Sequence, residues 1–299
     1  MIDYQLLHAL HAVVTEGGFE RAAKTLFITQ SAVSRRLHQL ESSFGEPVLI
    51  RSKPPIPTPL GKRLLNHYQQ VRQLEIALDL PTLDDSDTPA PLTVKLASNA
   101  DSLATWLPEA LALPADEAPC QYQFDIVVDD QSIALKRMKA GEVMACVCSS
   151  EQPVNGGGVM VLGAMRYLVI ASPDFVKTHD YQTVEQLADL PCLVFDEHDK
   201  LQHDLLQAQG LTPPSIFHLC PSSEGFKQAM LAGLGFGLLP ELQLGEALKT
   251  GELVDLLPGH YVDVPLYWHY WQSESPQLQA LRQHVRSVAT THLVAMDQK

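Results

Sequence analysis

An acidic, proline-rich stretch over residues 79–91, DLPTLDDSDTPAP, divides the chain into two segments with different hydrophobic patterns. The stretch has no apolar periodicity, and its prolines and aspartates are typical of an exposed linker. Before it, apolar residues recur at helical spacing. After it, short apolar runs alternate with helical patterns, which indicates an α/β sheet system. A chain of 299 residues divided in this way is expected to hold at least two domains.

The first segment predicts three short helices followed by a strand and turn. The apolar positions that define the helices are Leu6, Leu10 and Val13, then Phe19, Ala22, Ala23 and Leu26, then Val33, Leu37, Leu40 and Phe44. Thr29 is a good N-cap for the third helix, and Gly45 is a good stop. The proline-rich stretch 47–57 contains the apolar run Val48–Ile50, which suits a short strand.

The third helix carries polar side chains opposite its apolar stripe, namely Gln30, Ser31, Ser34, Arg35 and His38. A tight turn between the second and third helices is typical of a helix-turn-helix, which places the later helix in the DNA major groove. Arg35 is then a candidate to read guanine and Gln30 to read adenine, while the serines suit phosphate. Arg51 and Lys53, in the strand and turn after the third helix, are expected to form a wing that contacts the flanking DNA backbone. Periodicity alone leaves an ordinary three-helix unit with a solvated face as an equal alternative.

Thr58 and Pro59 are predicted to be the N-cap and first residue of a long helix. Its apolar seam alternates by four and three residues through Leu60, Leu64, His67, Val71, Leu74 and Leu78. A heptad seam of about three repeats is enough for a short antiparallel or parallel helix pair.

Charge is distributed unevenly along the chain. Residues 1–75 carry nine Lys/Arg against six Asp/Glu, whereas the remainder carries twelve against twenty-nine. The formal net charge of -14 alone would argue against nucleic acid as a partner. The asymmetry suggests that only the N-terminal segment meets a polyanion.

The second segment predicts a mostly parallel sheet divided into two α/β lobes with a cleft between them. Its strand-like runs are 92–97, 124–128, 145–148, 167–171, 192–195, 216–220, 237–239 and 265–271. Several runs are followed by hydroxyl, amide or carboxylate side chains, at Ser98, Asn99, Ser102, Asp129, Asp196 and Ser222. Ligands of α/β domains bind at such strand ends. Ser, Asn and Asp at these junctions are equally the usual helix caps.

No enzyme motif accompanies this pattern: the sequence has no GxSxG elbow, no P-loop, no HExxH and no CxxC. We therefore expect no catalytic residue, no cofactor and no metal, with an α/β hydrolase as an alternative. The five cysteines are expected to be reduced, and Cys146 and Cys148 to pack on one strand face. No signal peptide or membrane span is predicted, so we expect a cytoplasmic protein. A solute-binding protein is a further alternative that the basic N-terminal segment disfavours.

Two stretches, FERAAKTLFITQSAVSRRLHQLESSFGEPVLIR at 19–51 and TPLGKRLL at 58–65, resemble the DNA-binding signature of LysR-type transcriptional regulators. GLGFGLLP at 233–240 resembles the effector-domain signature of that family. The resemblance implies an α/β protein overall, with an N-terminal winged helix-turn-helix and a two-lobed effector domain of the type 2 periplasmic-binding-protein-like fold. The implied domains are a DNA-binding domain at 1–58, a linker and dimerisation helix at 59–79, a hinge at 80–91 and an effector-binding domain at 92–299. Lobe I is expected at 92–163 and 266–299, and lobe II at 164–265.

The same resemblance implies the partners. We expect a homodimer or a dimer of dimers that binds an interrupted palindrome in double-stranded DNA, and contact with RNA polymerase if the protein is an activator. Segments such as NADSLATW at 99–106, FDEHD at 195–199 and SSEGF at 222–226 resemble regulators that respond to basic amino acids and control their export. This resemblance implies lysine or arginine as the small-molecule effector, and makes the six strand-end residues named above its candidate contacts. A LysR-type regulator of an unrelated small molecule is the alternative.

Overall fold

The structure is a computed structural model that describes residues 2–77, 91–114, 118–129 and 131–296. The hinge expected at 80–91 lies outside these residues except for Pro91, and Leu78 also lies outside them. None of the helices in the described ranges has the length and apolar character that crossing a bilayer requires.

The N-terminal segment folds as a winged helix-turn-helix, as predicted. Its elements are α1 (Tyr4–Thr15), α2 (Phe19–Thr25), α3 (Gln30–Phe44), β1 (Leu49–Ile50), β2 (Ile56–Pro57) and α4 (Pro59–Ala77). Thr29 caps α3, because its hydroxyl accepts a hydrogen bond from the amide of Ala32 at 3.2 Å. Gly45 ends α3 with φ of +72°, a conformation that favours glycine.

The core of this domain is formed by the apolar stripes of α1, α2 and α3. Val33, Leu37 and Leu40 of α3 are buried against the first two helices, while Phe44, which we expected on the same stripe, is exposed. Ala22 and Ala23 are buried at the contact of α2 with its neighbours. Small side chains there let the helix axes approach closely, which fixes the direction in which α3 projects.

The predicted seam of α4 is divided between two environments. Leu64 is buried in the core of its own domain and Leu60 packs against that core, so Leu64 is not available to a partner helix. His67 lies 2.9 Å from the hydroxyl of Tyr4 in α1. Val71 is half-buried and Leu74 is exposed, so these two remain candidates for pairing with a second copy. Leu60 and Leu64 are four residues apart, about one helical turn, so they lie on the same face of α4. The first part of α4 docks on α1 through this face.

The second segment begins with alternating strands and helices. In chain order they are β3 (Leu92–Ser98), α5 (Ala100–Ala104), α6 (Leu107–Leu111), β4 (Tyr122–Val128), α7 (Gln131–Ala140), β5 (Ala145–Cys148), β6 (Gly157–Ala171), α8 (Pro173–Thr178), a short 3-10 helix (Val184–Asp189) and β7 (Cys192–Val194). There follow α9 (Leu201–Ala208), β8 (Phe217–Leu219), α10 (Ser223–Leu231), β9 (Gly237–Pro240), α11 (Glu241–Leu244), α12 (Ala247–Thr250), β10 (Val254–Asp255), β11 (Val262–Trp271) and α13 (Pro276–His292).

The main sheet has seven strands and is mixed, so the prediction of a mostly parallel sheet was wrong. β3 pairs in parallel with β4 and β5, whereas β11, β9 and β10 all pair antiparallel with β6. β7 and β8 form a separate parallel pair. Pattern reasoning missed the long β6–β11 ladder because both strands are buried on both faces over much of their length, which hides the alternation.

β6 and β11 run through both halves of this segment. The β3–β4–β5 group joins the ladder along residues 267–270 of β11, and β9 and β10 join it along residues 167–171 of β6. Between these attachments the register shifts at Leu266, opposite Gly163, whose φ is +140°. A Cβ at Gly163 would lie 2.7 Å from the Cβ of Leu293. The predicted lobe boundaries at 163/164 and 265/266 coincide with this irregularity.

Cys146 and Cys148 of β5 are buried with Ala134, Met138 and Val154 beneath α7. Their position on one strand face agrees with the packing interpretation of the sequence. No group of three His, Cys, Asp or Glu side chains within the described ranges could hold a metal ion.

We predict that Gly61→Ala destabilises the N-terminal domain. Gly61 lies where α4 crosses the chain before the wing, and an added Cβ would overlap the backbone carbonyl oxygen of Val48. Because backbone cannot yield as a flexible side chain does, the free energy of unfolding of this domain should fall by about 1–3 kcal/mol. Circular dichroism melting would measure this. Gly18→Ala is the control, since nothing lies within 4 Å of its Cβ position. Equal melting of both variants would contradict the close approach.

Candidate functional site

The polar face of α3 is fully accessible. Gln30, Ser31, Ser34, Arg35 and His38 are all exposed, while the opposite stripe is buried. The Ser31 hydroxyl lies 3.0 Å from that of Thr29 at the start of the helix. These groups, together with the free amides of the first turn, are available to base edges and phosphates.

The wing is the β1–β2 hairpin, and both of its predicted cationic contacts are exposed. Arg51 and Lys53 lie in the loop between the strands, where the Ser52 hydroxyl donates to the carbonyl of Pro54 at 2.6 Å. The loop therefore carries its positive charge on a short, internally bonded scaffold.

Phe27 is a further candidate contact that the sequence analysis did not single out. It occupies the turn between α2 and α3, with φ of +52° and a side chain that is 94% exposed. An apolar side chain so placed suits contact with a thymine methyl group. The sequence does show an aromatic residue at this turn. The helical periodicity assigns Phe27 to neither α2 nor α3, so it was not selected.

A cavity of about 840 Å³ lies between the two halves of the second segment. This volume is within the usual range for a small-molecule site. The wall on the β3 side includes Asn99, Asp101, Val128, Asp129, Ile133 and Ser149. The opposite wall includes Phe195, Asp196, His198, Asp199, Lys200, Leu201, Asp204 and Pro221, and Tyr167 with residues 263–265 comes from the β6–β11 ladder.

Asp101 is a largely buried acid of the cleft. Its carboxylate accepts hydrogen bonds from the hydroxyl of Tyr167 at 2.8 Å and from the hydroxyl of Ser223 at 2.5 Å. Ser223 belongs to the far wall, so Asp101 bridges the two halves. Burial raises the pKa of Asp101, and the hydrogen bonds from Ser223 and Tyr167 oppose that rise.

Two other cleft carboxylates are neutralised by arginines. Asp263 forms a bidentate ion pair with Arg166, with both N–O distances at 2.8 Å. Asp129 is bonded through both oxygens to Arg137. Asp196 and Asp199 instead accept backbone amide hydrogen bonds and have no cationic partner among the described residues. The net charge of the cavity wall is therefore negative.

The six predicted effector contacts occupy different places. Asn99, Asp129 and Asp196 line the cleft, and Asn99 Oδ1 is buried with no hydrogen-bond partner among the described residues. Ser98 and Ser102 are buried beside the cleft wall, and the Ser98 hydroxyl donates to the Asn99 carbonyl. Ser222 caps α10, accepting from the amide of Gly225 at 3.1 Å, and does not line the cavity.

The structure adds contacts that sequence reasoning missed or set aside. Asp101 lies in the first turn of α5, after the N-cap residue Asn99, and its carboxylate turns across the cleft. Asp199 lies five residues after the end of β7, too far for the strand-end rule to select it. Tyr167 was predicted at the start of a strand, where the same rule does not apply, and its hydroxyl donates to Asp101.

Comparison with known proteins gives one consistent family. Residues 4–62 match the model "Bacterial regulatory helix-turn-helix protein, lysR family", and residues 90–290 match "LysR substrate binding domain". The chain is 51% identical over 298 residues to the HTH-type transcriptional regulator ArgP of Pseudomonas aeruginosa, covering 98% of each protein.

Two solved structures are similar over the full chain. One is ArgP from Mycobacterium tuberculosis, with a TM-score of 0.81, 34% identity and coverage of 99% of this chain and 100% of that one. The other is full-length LysG from Corynebacterium glutamicum with bound effector Arg, with a TM-score of 0.74, 31% identity and coverage of 98% and 100%.

We predict that Arg35→Ala and Lys53→Ala affect DNA binding in different ways. Arg35 lies on the exposed polar face of α3, so its loss should relax base preference at one position and cost about 1–3 kcal/mol on the preferred site. Lys53 is placed for phosphate, so its loss should weaken binding evenly across sequences and lower the salt dependence. Binding to a randomised site library at two salt concentrations distinguishes these effects. Unchanged affinity and preference in Arg35→Ala would mean that α3 does not read bases.

Proposed function

Since the chain belongs to the LysR family of DNA-binding transcriptional regulators, we propose that its activity is set by a basic amino acid, arginine or lysine, bound in the cleft. The observation that carries this proposal is the composition of the cavity wall. Six aspartates line it, against Lys200 as the one Lys or Arg side chain among the described lining residues. Asp129 and Asp263 are already paired with arginines, whereas Asp101, Asp196, Asp199 and Asp204 have no cationic partner among the described residues.

An excess of carboxylates around a partly enclosed cavity favours a cation over an anion or a neutral molecule. Arginine and lysine each carry two cationic groups and one carboxylate at neutral pH. Asp101 suits one of the cationic groups, and the unpaired Asn99 Oδ1 is an acceptor for a second N–H donor. Lys200 suits the ligand carboxylate. The names ArgP and LysG of the relatives, and the Arg bound to LysG, support the same class of effector.

The rest of the proposed function follows from the family. The chain acts as a homodimer or a dimer of dimers on an interrupted palindrome, in the cytoplasm where its DNA target lies, and as an activator it would contact RNA polymerase. It controls genes for amino-acid export or metabolism and catalyses no reaction. A LysR-type regulator with an unrelated effector is the competing function, and the acidic cavity disfavours every anionic candidate for that effector.

We predict that the full-length chain binds arginine and lysine in calorimetric titration and does not bind glutamate. Asp101→Asn should weaken arginine binding roughly tenfold or more, because it removes a charge that is shielded from water. Asp180→Asn is the matched control, since Asp180 is exposed outside the cleft and its φ of +47° is tolerated by asparagine. Binding of glutamate with no heat from either basic amino acid would overturn the proposed effector.

We also predict that arginine binding weakens in mild acid. The pKa of Asp101 is raised by burial, so its carboxylate takes up a proton at a higher pH than an ordinary aspartate does. The cation requires the ionised form, so affinity should be full at neutral pH and fall as pH drops through that raised value. The same titration on Asp101→Asn should show a flatter profile. Identical profiles for the two proteins would show that another group controls the pH dependence.

A further inference from the structure

Four charged side chains form an unbroken row from the cleft to α4. Both carboxylate oxygens of Asp129 accept from Arg137, which lies on α7. Arg137 also donates through Nη1 to Glu142 at 2.8 Å, and Glu142 accepts from Lys62 of α4 at 2.9 Å. The row therefore starts at the effector cleft and ends on the helix that carries the DNA-binding domain.

Arg137 occupies the centre of this row, whose members line two different cavities. Asp129 lines the effector cleft, while Arg137, with Glu142 and Lys62, lines a groove of about 280 Å³ between α4 and the second segment. The two ends of the row differ in side-chain exposure, which is 11% for Asp129 and 44% for Lys62. A charged group that loses its partner is therefore least costly at the Lys62 end of the row, where water can hydrate it.

We propose that Arg137 is a built-in competitor of the cationic effector for Asp129, and that Glu142 couples this competition to the hold of Lys62 on the linker helix. The inference rests on the proposed function, because it requires a cation in the cleft. When the effector's cationic group approaches Asp129, Arg137 turns toward Glu142, its other partner. Glu142 then holds Lys62 less strongly, and α4 is released from α7.

The charge balance of the row gives the direction of the coupling. The two carboxylates and two cations of the row give it a net charge of zero before any ligand is counted. A bound cation adds one positive charge, which the row relieves by releasing a cation. The pKa of Glu142 is held low by its hydrogen bond to Lys62 and then by Arg137, so Glu142 stays charged throughout the neutral range.

The contact between α4 and the second segment is close enough for such a release to matter. Gly141, at the end of α7, has φ of +71°, and a Cβ there would overlap the side chain of Asn66 in α4. Glu142 directly follows Gly141 in the chain, so its bond to Lys62 lies beside this contact. Loss of the Lys62–Glu142 hydrogen bond therefore removes a polar contact where α4 meets the second segment.

Lys62→Met and Glu142→Gln test the proposal because they break the same interdomain bond but leave opposite net charge on the row. Lys62→Met gives the row one extra negative charge and frees Glu142 for Arg137, so arginine should bind roughly two- to five-fold more tightly. Glu142→Gln leaves Arg137 with Asp129 alone and adds net positive charge, so arginine should bind more weakly by a similar factor. The double variant restores neutrality and should lie near wild type. Calorimetry on the full-length proteins gives all four affinities.

Lys95→Met is the matched control, since Lys95 lines the same groove and lies 4.0 Å from Asp125, outside the row. Its arginine affinity should equal that of wild type. If the arginine affinities of Lys62→Met and Glu142→Gln shifted in the same direction, or neither shifted, the coupling would be overturned. Arginine binding by the wild-type protein would still support the proposed effector in that case. If wild type bound neither arginine nor lysine, the effector assignment and the coupling would fall together.

Discussion

The pairing of β6 with β11 is the constraint on which the effector domain depends. Together these two antiparallel strands connect the two strand groups, since β5 of the β3–β4–β5 group pairs with β11, and β9 and β10 pair with β6. The wall with Asn99, Asp101 and Asp129 follows β3 and β4, while Tyr167 and residues 263–265 belong to the ladder itself and line the cleft. The ladder therefore fixes the position of the β3 wall relative to the residues that the ladder contributes. The register of the ladder shifts at Leu266, opposite Gly163.

The charges of the cleft are arranged in two ways. Asp263 and Asp129 are held by arginines from outside the cavity, whereas Asp101 is held by the neutral hydroxyls of Tyr167 and Ser223. Neutral donors stabilise a carboxylate without cancelling its charge, so Asp101 keeps its attraction for a cation. It also joins residues from both walls. A ligand that binds Asp101 would therefore act directly on a contact between the two walls, which is the kind of differential interaction that a conformational response requires.

Much of the N-terminal domain could be predicted because its signals are local. The cap at Thr29, the glycine stop at Gly45 and the stripe of α3 are fixed within one helix, and the exposed polar face follows from the same period. The cleft could be predicted only in part. Asn99, Asp129 and Asp196 stand near strand ends, where a general rule applies, but Asp101 and Tyr167 meet through a contact 66 residues apart in sequence. The antiparallel pairing of β6 with β11 could not be predicted for the same reason, since the register between distant strands leaves no mark on the sequence of either strand alone.

The most direct test of the central claim is a nuclease footprint on the intergenic region beside the protein's own gene, with and without saturating arginine. We expect two protected half-sites on one face of the DNA, separated by about one or more helical turns of roughly 10 bp. We also expect arginine to change the extent or spacing of protection, because the proposed function couples the cleft to the DNA-binding domain. Protection that is the same at every arginine concentration, in a protein that binds arginine, would contradict the account.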